Sequence, residues 1–95
     1  MIFSYIDNNK NSILEWSSKQ SYIALGNLMT TASLLKIDTC PIEGFDPVAY
    51  GEILEIDSRY NAVCVCALGY RSGEDKYQNV AKVRLPMDDL IFNYK

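Results

Sequence analysis

Cys40-Pro41-Ile42-Glu43-Gly44-Phe45-Asp46 and Lys82-Val83-Arg84 are the two stretches of this chain with the residue types and spacing for chemistry. The first reads as a sharp loop leading into a capped helix start. Its glycine lets the backbone come close to a bound group. The second reads as an extended segment whose two cations, two positions apart, share one side. Arg grips phosphate in a fork, and Lys adds a point charge. Together the stretches point to a site for a flat ring carrying a phosphate, of which only part is present here. Each also has a plainer reading. The first is then a turn that feeds a helix, and the second is a solvated cationic face.

Other chemistry is narrowed by what is missing. The chain has no histidine. That removes a Ser-His-Asp or Cys-His catalytic pair and the ordinary zinc sites of proteases and deaminases. It contains no G-x-S-x-G, Walker or G-x-G-x-x-G pattern. No catalytic side chain and no metal ligand set is expected, so any reaction falls to a bound cofactor. The three cysteines, Cys40, Cys64 and Cys66, lack the paired spacing of a disulfide framework. Cys64 and Cys66 share a face if the segment is a strand. They read as small core hydrophobes, with a redox pair as the alternative.

The elements that must position these residues follow from pattern. Ser12-Ile13-Leu14-Glu15 has the form of a capping box, and a helix is expected from there to Leu35 or Lys36, about 35 Å long. Its apolar residues, from Ile13 to Leu35, surround the axis, and no charge occurs between Lys19 and Lys36. A helix apolar on most sides must be covered on most sides. Gly26 within it is either a tolerated glycine or a point of close approach. Asp46 is placed as an N-cap with Pro47 at the first helical position. Phe45 and Tyr50 occupy the staple positions of that helix, expected over 47–54. Residues 62–70 form an apolar run without alternation, which predicts a strand covered on both faces. Lys82 to Pro86 reads as extended, because proline disfavours helix just before it. Residues 1–6 and the tail from Met87 have no decided type.

Ninety-five residues make one domain at most, and the composition is globular: 48% hydrophobic, 22% charged, net charge −3. Interspersed charges give no footprint for nucleic acid, and no apolar run has the length of a membrane span. The first residues lack the basic start of a secretion signal; a cytoplasmic location is expected. One helix needs cover all round and one strand needs neighbours on both edges, with fewer than about sixty residues left to supply them. A second copy or further polypeptide is expected to complete the interior.

Trp16 to Gly44, with Lys19-Gln20, the run Tyr22 to Met29 and Cys40 to Asp46, resembles the C-terminal half of FMN-dependent nitroreductases. Leu68-Gly69-Tyr70-Arg71 and Lys82-Val83-Arg84-Leu85-Pro86 continue the resemblance in order. It implies an α+β fold: a partial nitroreductase-like α/β sandwich, with the long helix buried on a small sheet, completed by dimerisation or by a missing N-terminal half. Residues 1–95 would form a single partial domain. It further implies that Pro41 and Ile42 pack on the flavin ring, that a backbone N–H near Glu43 and Gly44 reaches flavin N5, and that Lys82 and Arg84 hold the FMN phosphate. Complete members of the family also carry an Arg-x-Ser-x-Arg/Lys motif, which none of Arg59, Arg71 and Arg84 opens.

The activity implied for the complete enzyme is FMN-mediated hydride transfer from NADH or NADPH to nitroaromatics, quinones or flavins, by a homodimer. The 95 residues alone are expected to bind FMN weakly or not at all and to be inactive. The alternative is a non-enzymatic remnant that self-associates or binds a partner.

Overall fold

In the computed structural model, residues 12–93 are described. The element order is α1 (Ile13–Leu34), β1 (Asp38–Ile42), α2 (Pro47–Ile53), β2 (Val65–Gly69) and α3 (Met87–Leu90). Helices and a two-stranded antiparallel sheet make the architecture α+β. Residues 1–6 lie outside the described residues.

Helix α1 runs close to its expected length. Ser12 stands at its N-cap but makes no capping hydrogen bond through its side chain. The capping box is therefore not formed. Glu15 turns instead to Lys19, 3.1 Å away and one turn on, the favoured order for such a pair on a helix. At the other end the helix closes in a Schellman motif. Ile37 N donates to Ala32 O at 2.9 Å and Lys36 N to Ser33 O at 3.0 Å. Lys36 takes the left-handed position, with φ 60.

The reversal sends β1 back along α1. Ala32 at this junction is the one buried residue among those described, 5% exposed. Within this chain the long helix is therefore not buried: Ile23 is 61% exposed and Leu34 80%, and the cover expected from a second copy or further polypeptide is not supplied by the described residues. The physical reason is simple. β1 meets α1 on one side, and nothing else among the described elements packs on the helix to any extent. Nothing approaches Gly26 within 4 Å of where a Cβ would stand, so the chain itself gives no reason for that glycine.

β1 and β2 pair from Asp38↔Gly69 to Ile42↔Val65. Pro41 carries no N–H, which suits a strand with a neighbour on one side only. The strand expected over 62–70 covers Val65–Gly69, and Ala67 to Gly69 are exposed. Two strands cannot cover both of their own faces, so the central, doubly covered strand is a second correction. Cys64 and Cys66 are half-buried and Cys40 is exposed; all three thiols are free.

Helix α2 forms as its sequence requires. The Asp46 carboxylate accepts from Val48 N at 3.0 Å and Ala49 N at 3.2 Å, with Pro47 at the first position. The Phe45 and Tyr50 rings close the staple with centroids 4.8 Å apart. Its C-terminus repeats the ending of α1. Ile56 N donates to Gly51 O at 2.9 Å and Glu55 N to Glu52 O at 3.2 Å, with Glu55 at φ 54. Asp57 then holds Arg59 through its backbone N–H at 2.9 Å and its Nε at 3.0 Å.

The chain is open in shape. Its radius of gyration is 17.6 Å, against about 12 Å for a compact domain of this length. It exposes 8836 Å², where a compact monomer of its mass exposes roughly 5,500 Å².

Candidate functional site

The Pro41–Gly44 segment spans the end of β1 and the turn into α2. Pro41 and Ile42 belong to the strand, Glu43 and Gly44 follow it, and Phe45 N donates back to Glu43 O at 3.0 Å. Gly44 N donates to no backbone carbonyl among the described residues. A Cβ placed on Gly44 would meet nothing within 4 Å. The turn thus presents an open backbone with a spare donor, which fits an acceptor nitrogen of a planar group.

The last ladder pair is Ile42↔Val65, with Glu43 and Cys64 the residues that leave it. From the other side, α1 brings Tyr22. Partial loss of water, then the Glu43 charge, and then Cys64, push the Tyr22 hydroxyl above the ordinary tyrosine range.

At the opposite end of the sheet, the Asp38 carboxylate takes the Arg71 backbone N–H at 3.0 Å and also its guanidinium. The Arg71 side chain, then its backbone N–H, hold the Asp38 carboxyl at about 2. A cleft of about 470 Å³ opens there between the sheet and the loop after β2. Asp38, Cys40, Tyr70, Arg71, Tyr77 and Lys82 are among the residues that line it.

The six residues singled out in the sequence are therefore brought together only in part. Pro41, Ile42, Glu43 and Gly44 are contiguous at one end of the sheet. Lys82 reaches the cleft at the other end, and Arg84 does not line it. Residues 81–86 adopt no regular strand, and Arg84 Nη1 donates to the carbonyl of its own neighbour Val83 at 3.1 Å. Both cations are exposed. Tyr22 and the Asp38–Arg71 pair were not found from sequence.

A second cleft, about 550 Å³, lies between α2 and the 55–62 segment. None of the six residues lines it. Among the described residues there is no group able to hold a metal ion and no helix long and apolar enough to cross a membrane.

The family model for the nitroreductase family matches residues 1–70, and the chain belongs to that family. Similar curated proteins carry the name "Putative NAD(P)H nitroreductase". The one from Staphylococcus saprophyticus is 48% identical over 92 residues, covering 92% of this chain and 40% of that protein. Those from Staphylococcus haemolyticus and Staphylococcus epidermidis are 47% and 45% identical, with the same coverage. The chain thus spans 40% of the length of these relatives. A match with that share of 95 residues includes positions 82–84 wherever it starts, although the family model ends before them.

Proposed function

We propose that this chain is part of an oxidoreductase that binds FMN and NAD(P)H, with Pro41, Ile42, Glu43 and Gly44 against the flavin ring and Lys82 and Arg84 on its phosphate. When bound, FMN supplies the hydride chemistry between NAD(P)H and an acceptor such as a nitroaromatic, a quinone or a free flavin. The chain's own residues bind and orient. The Gly44 turn offers a backbone donor at the ring, Pro41 and Ile42 offer apolar surface beside it, and the exposed cations offer charge for the phosphate. No side chain among the described residues is assigned a role as acid, base or nucleophile in this reading.

The observation that carries this reading is the open, unbonded Gly44 backbone within a chain of this family. The separation of Lys82 and Arg84 from that turn belongs with the surplus surface of the chain. Roughly 3,300 Å² lies exposed beyond what a compact monomer shows, more than one side of most obligate interfaces. We take residues 1–95 as one partial domain, completed by a second copy or by further polypeptide, which would close the sheet and draw the two ends of the site together.

The test compares FMN with riboflavin, which lacks the phosphate, by flavin fluorescence titration of the chain. Weak binding with FMN preferred is expected. Substituting Lys82→Ala and Arg84→Ala should erase the preference, a loss of about tenfold or more for a charge-assisted phosphate contact. Equal binding of both flavins by the unmodified chain overturns the phosphate assignment. A second reading rests on the same surplus surface: a non-enzymatic module that self-associates. It requires a stable oligomer that oxidises no NAD(P)H even with FMN supplied, and measurable turnover excludes it.

A further inference from the structure

Residues 72–80 fold as a run of hydrogen-bonded turns. Glu74 N donates to Ser72 Oγ at 3.1 Å and Tyr77 N to Asp75 Oδ1 at 2.9 Å. Gln78 Nε2 donates back to Gly73 O at 3.3 Å, and Val80 N to Tyr77 O at 3.2 Å. Lys82 comes two residues past that last bond and lines the cleft together with Thr39 and Cys40 of β1. Among the described residues, the run is hydrogen-bonded to the sheet only at its root. There the Asp38 carboxylate takes both the backbone N–H and the guanidinium of Arg71.

We infer that Asp38 and Arg71 are positioning residues for Lys82: their pair roots the 72–80 turns on the end of β1 and so holds the Lys82 ammonium at the cleft, where an anionic group would sit. The identity of that anion, the FMN phosphate, rests on the flavin reading above; the geometry does not. A root held at one point could swivel. Held by its backbone and by a planar guanidinium, it has a direction as well as a place. The pair also settles the charge of the cleft. Asp38 and Lys82 both line it, and a carboxylate left unpaired there would compete with an incoming anion for the lysine. With Arg71 engaged, Lys82 makes no ion pair among the described residues. Asp75 faces Arg71 from the loop side. The hydrogen bond and charge of Asp38, and then the Asp75 charge, hold the guanidinium above its ordinary range.

The experiment has a flavin-free arm and a flavin arm, both on the whole chain. In the first, NMR order parameters are measured for the amides of Glu74, Tyr77 and Lys82. Asp38→Ala removes both bonds at the root, and the Lys82 value should fall. Arg71→Gln removes the guanidinium and keeps the backbone bond, so a smaller fall is expected. The double substitution should add nothing to Asp38→Ala. An unchanged Lys82 value in Asp38→Ala overturns the positioning role. Should that variant fail to fold, an unchanged value in Arg71→Gln overturns it equally.

In the second arm, the preference for FMN over riboflavin is read by fluorescence titration. Asp38→Ala should shrink that preference by about fivefold, the most that an exposed pair of this kind sets, with riboflavin affinity kept. Lys82→Ala should erase the preference and leave the Glu74 and Tyr77 order parameters as they were. An unchanged preference in Asp38→Ala, or an equal loss of both flavins, overturns the proposal. A chain whose Lys82 order depends on the pair but which binds both flavins equally overturns the phosphate assignment and leaves the positioning of Lys82 standing.

Discussion

Asp38 and Arg71 clasp the open end of the sheet, thirty-three residues apart in sequence, through both the backbone N–H and the guanidinium of the arginine. Asp38 begins β1, and its register partner Gly69 ends β2. The pair therefore fixes where the second strand stops and the cleft-lining loop begins.

The clasp makes stability depend on acid pH. The Asp38 carboxyl is held at about 2, below the unfolded value of about 3.9. The ionised form thus favours the folded chain above about pH 4, and the contribution drains away as pH falls through about 2. Denaturant unfolding measured at several pH values should show this loss. In Asp38→Asn the slope over that window should flatten, and stability at neutral pH should drop. An unchanged slope would mean the clasp does not hold in solution.

Lys36 and Glu55 each occupy the left-handed position that ends a helix, at φ 60 and φ 54. A side chain there costs about 1 kcal/mol or more relative to glycine. Lys36→Gly and Glu55→Gly are expected to stabilise the chain by about 0.5–1 kcal/mol each. Because the two sites sit on separate helix ends, the effects should add. Thermal unfolding of the single and double variants checks both statements.

Asp46 holds two amide groups of α2 with one carboxylate oxygen. Asp46→Ala should cost about 1 kcal/mol. The loss should appear locally, as faster hydrogen exchange over residues 48–51, since α2 is short and buries none of its residues. Asp46→Ser should restore most of it.

The exposed apolar faces of α1 and of the sheet predict association. Light scattering at micromolar concentration should give a mass at least twice the 10.8 kDa of one chain. Ile23→Lys and Leu28→Lys, both at exposed positions on α1, should shift that mass toward the monomer. A monodisperse monomer before substitution would remove the case for a second copy.

What the sequence determined was local. The extent of α1, the Asp46 cap, the Phe45–Tyr50 staple and the turn at Gly44 depend on residues within a few positions of one another, so their types sufficed. The family resemblance was legible for the same reason, through short motifs kept in order. The left-handed closure of each helix was not, because those positions carry Lys36 and Glu55 in place of the usual glycine. The capping box did not form: Ser12 makes no capping bond through its side chain, and Glu15 pairs with Lys19.

Tertiary structure alone decided the pairing of β1 with β2 and the meeting of Asp38 with Arg71. Such contacts depend on a strand register and on the angle at which β1 leaves α1, and no spacing along the chain encodes either by itself. It also decided that the apolar surface of α1 stays open. Hydrophobic pattern tells which side chains gain by leaving water; what covers them depends on which surfaces lie within reach, and here a single strand does.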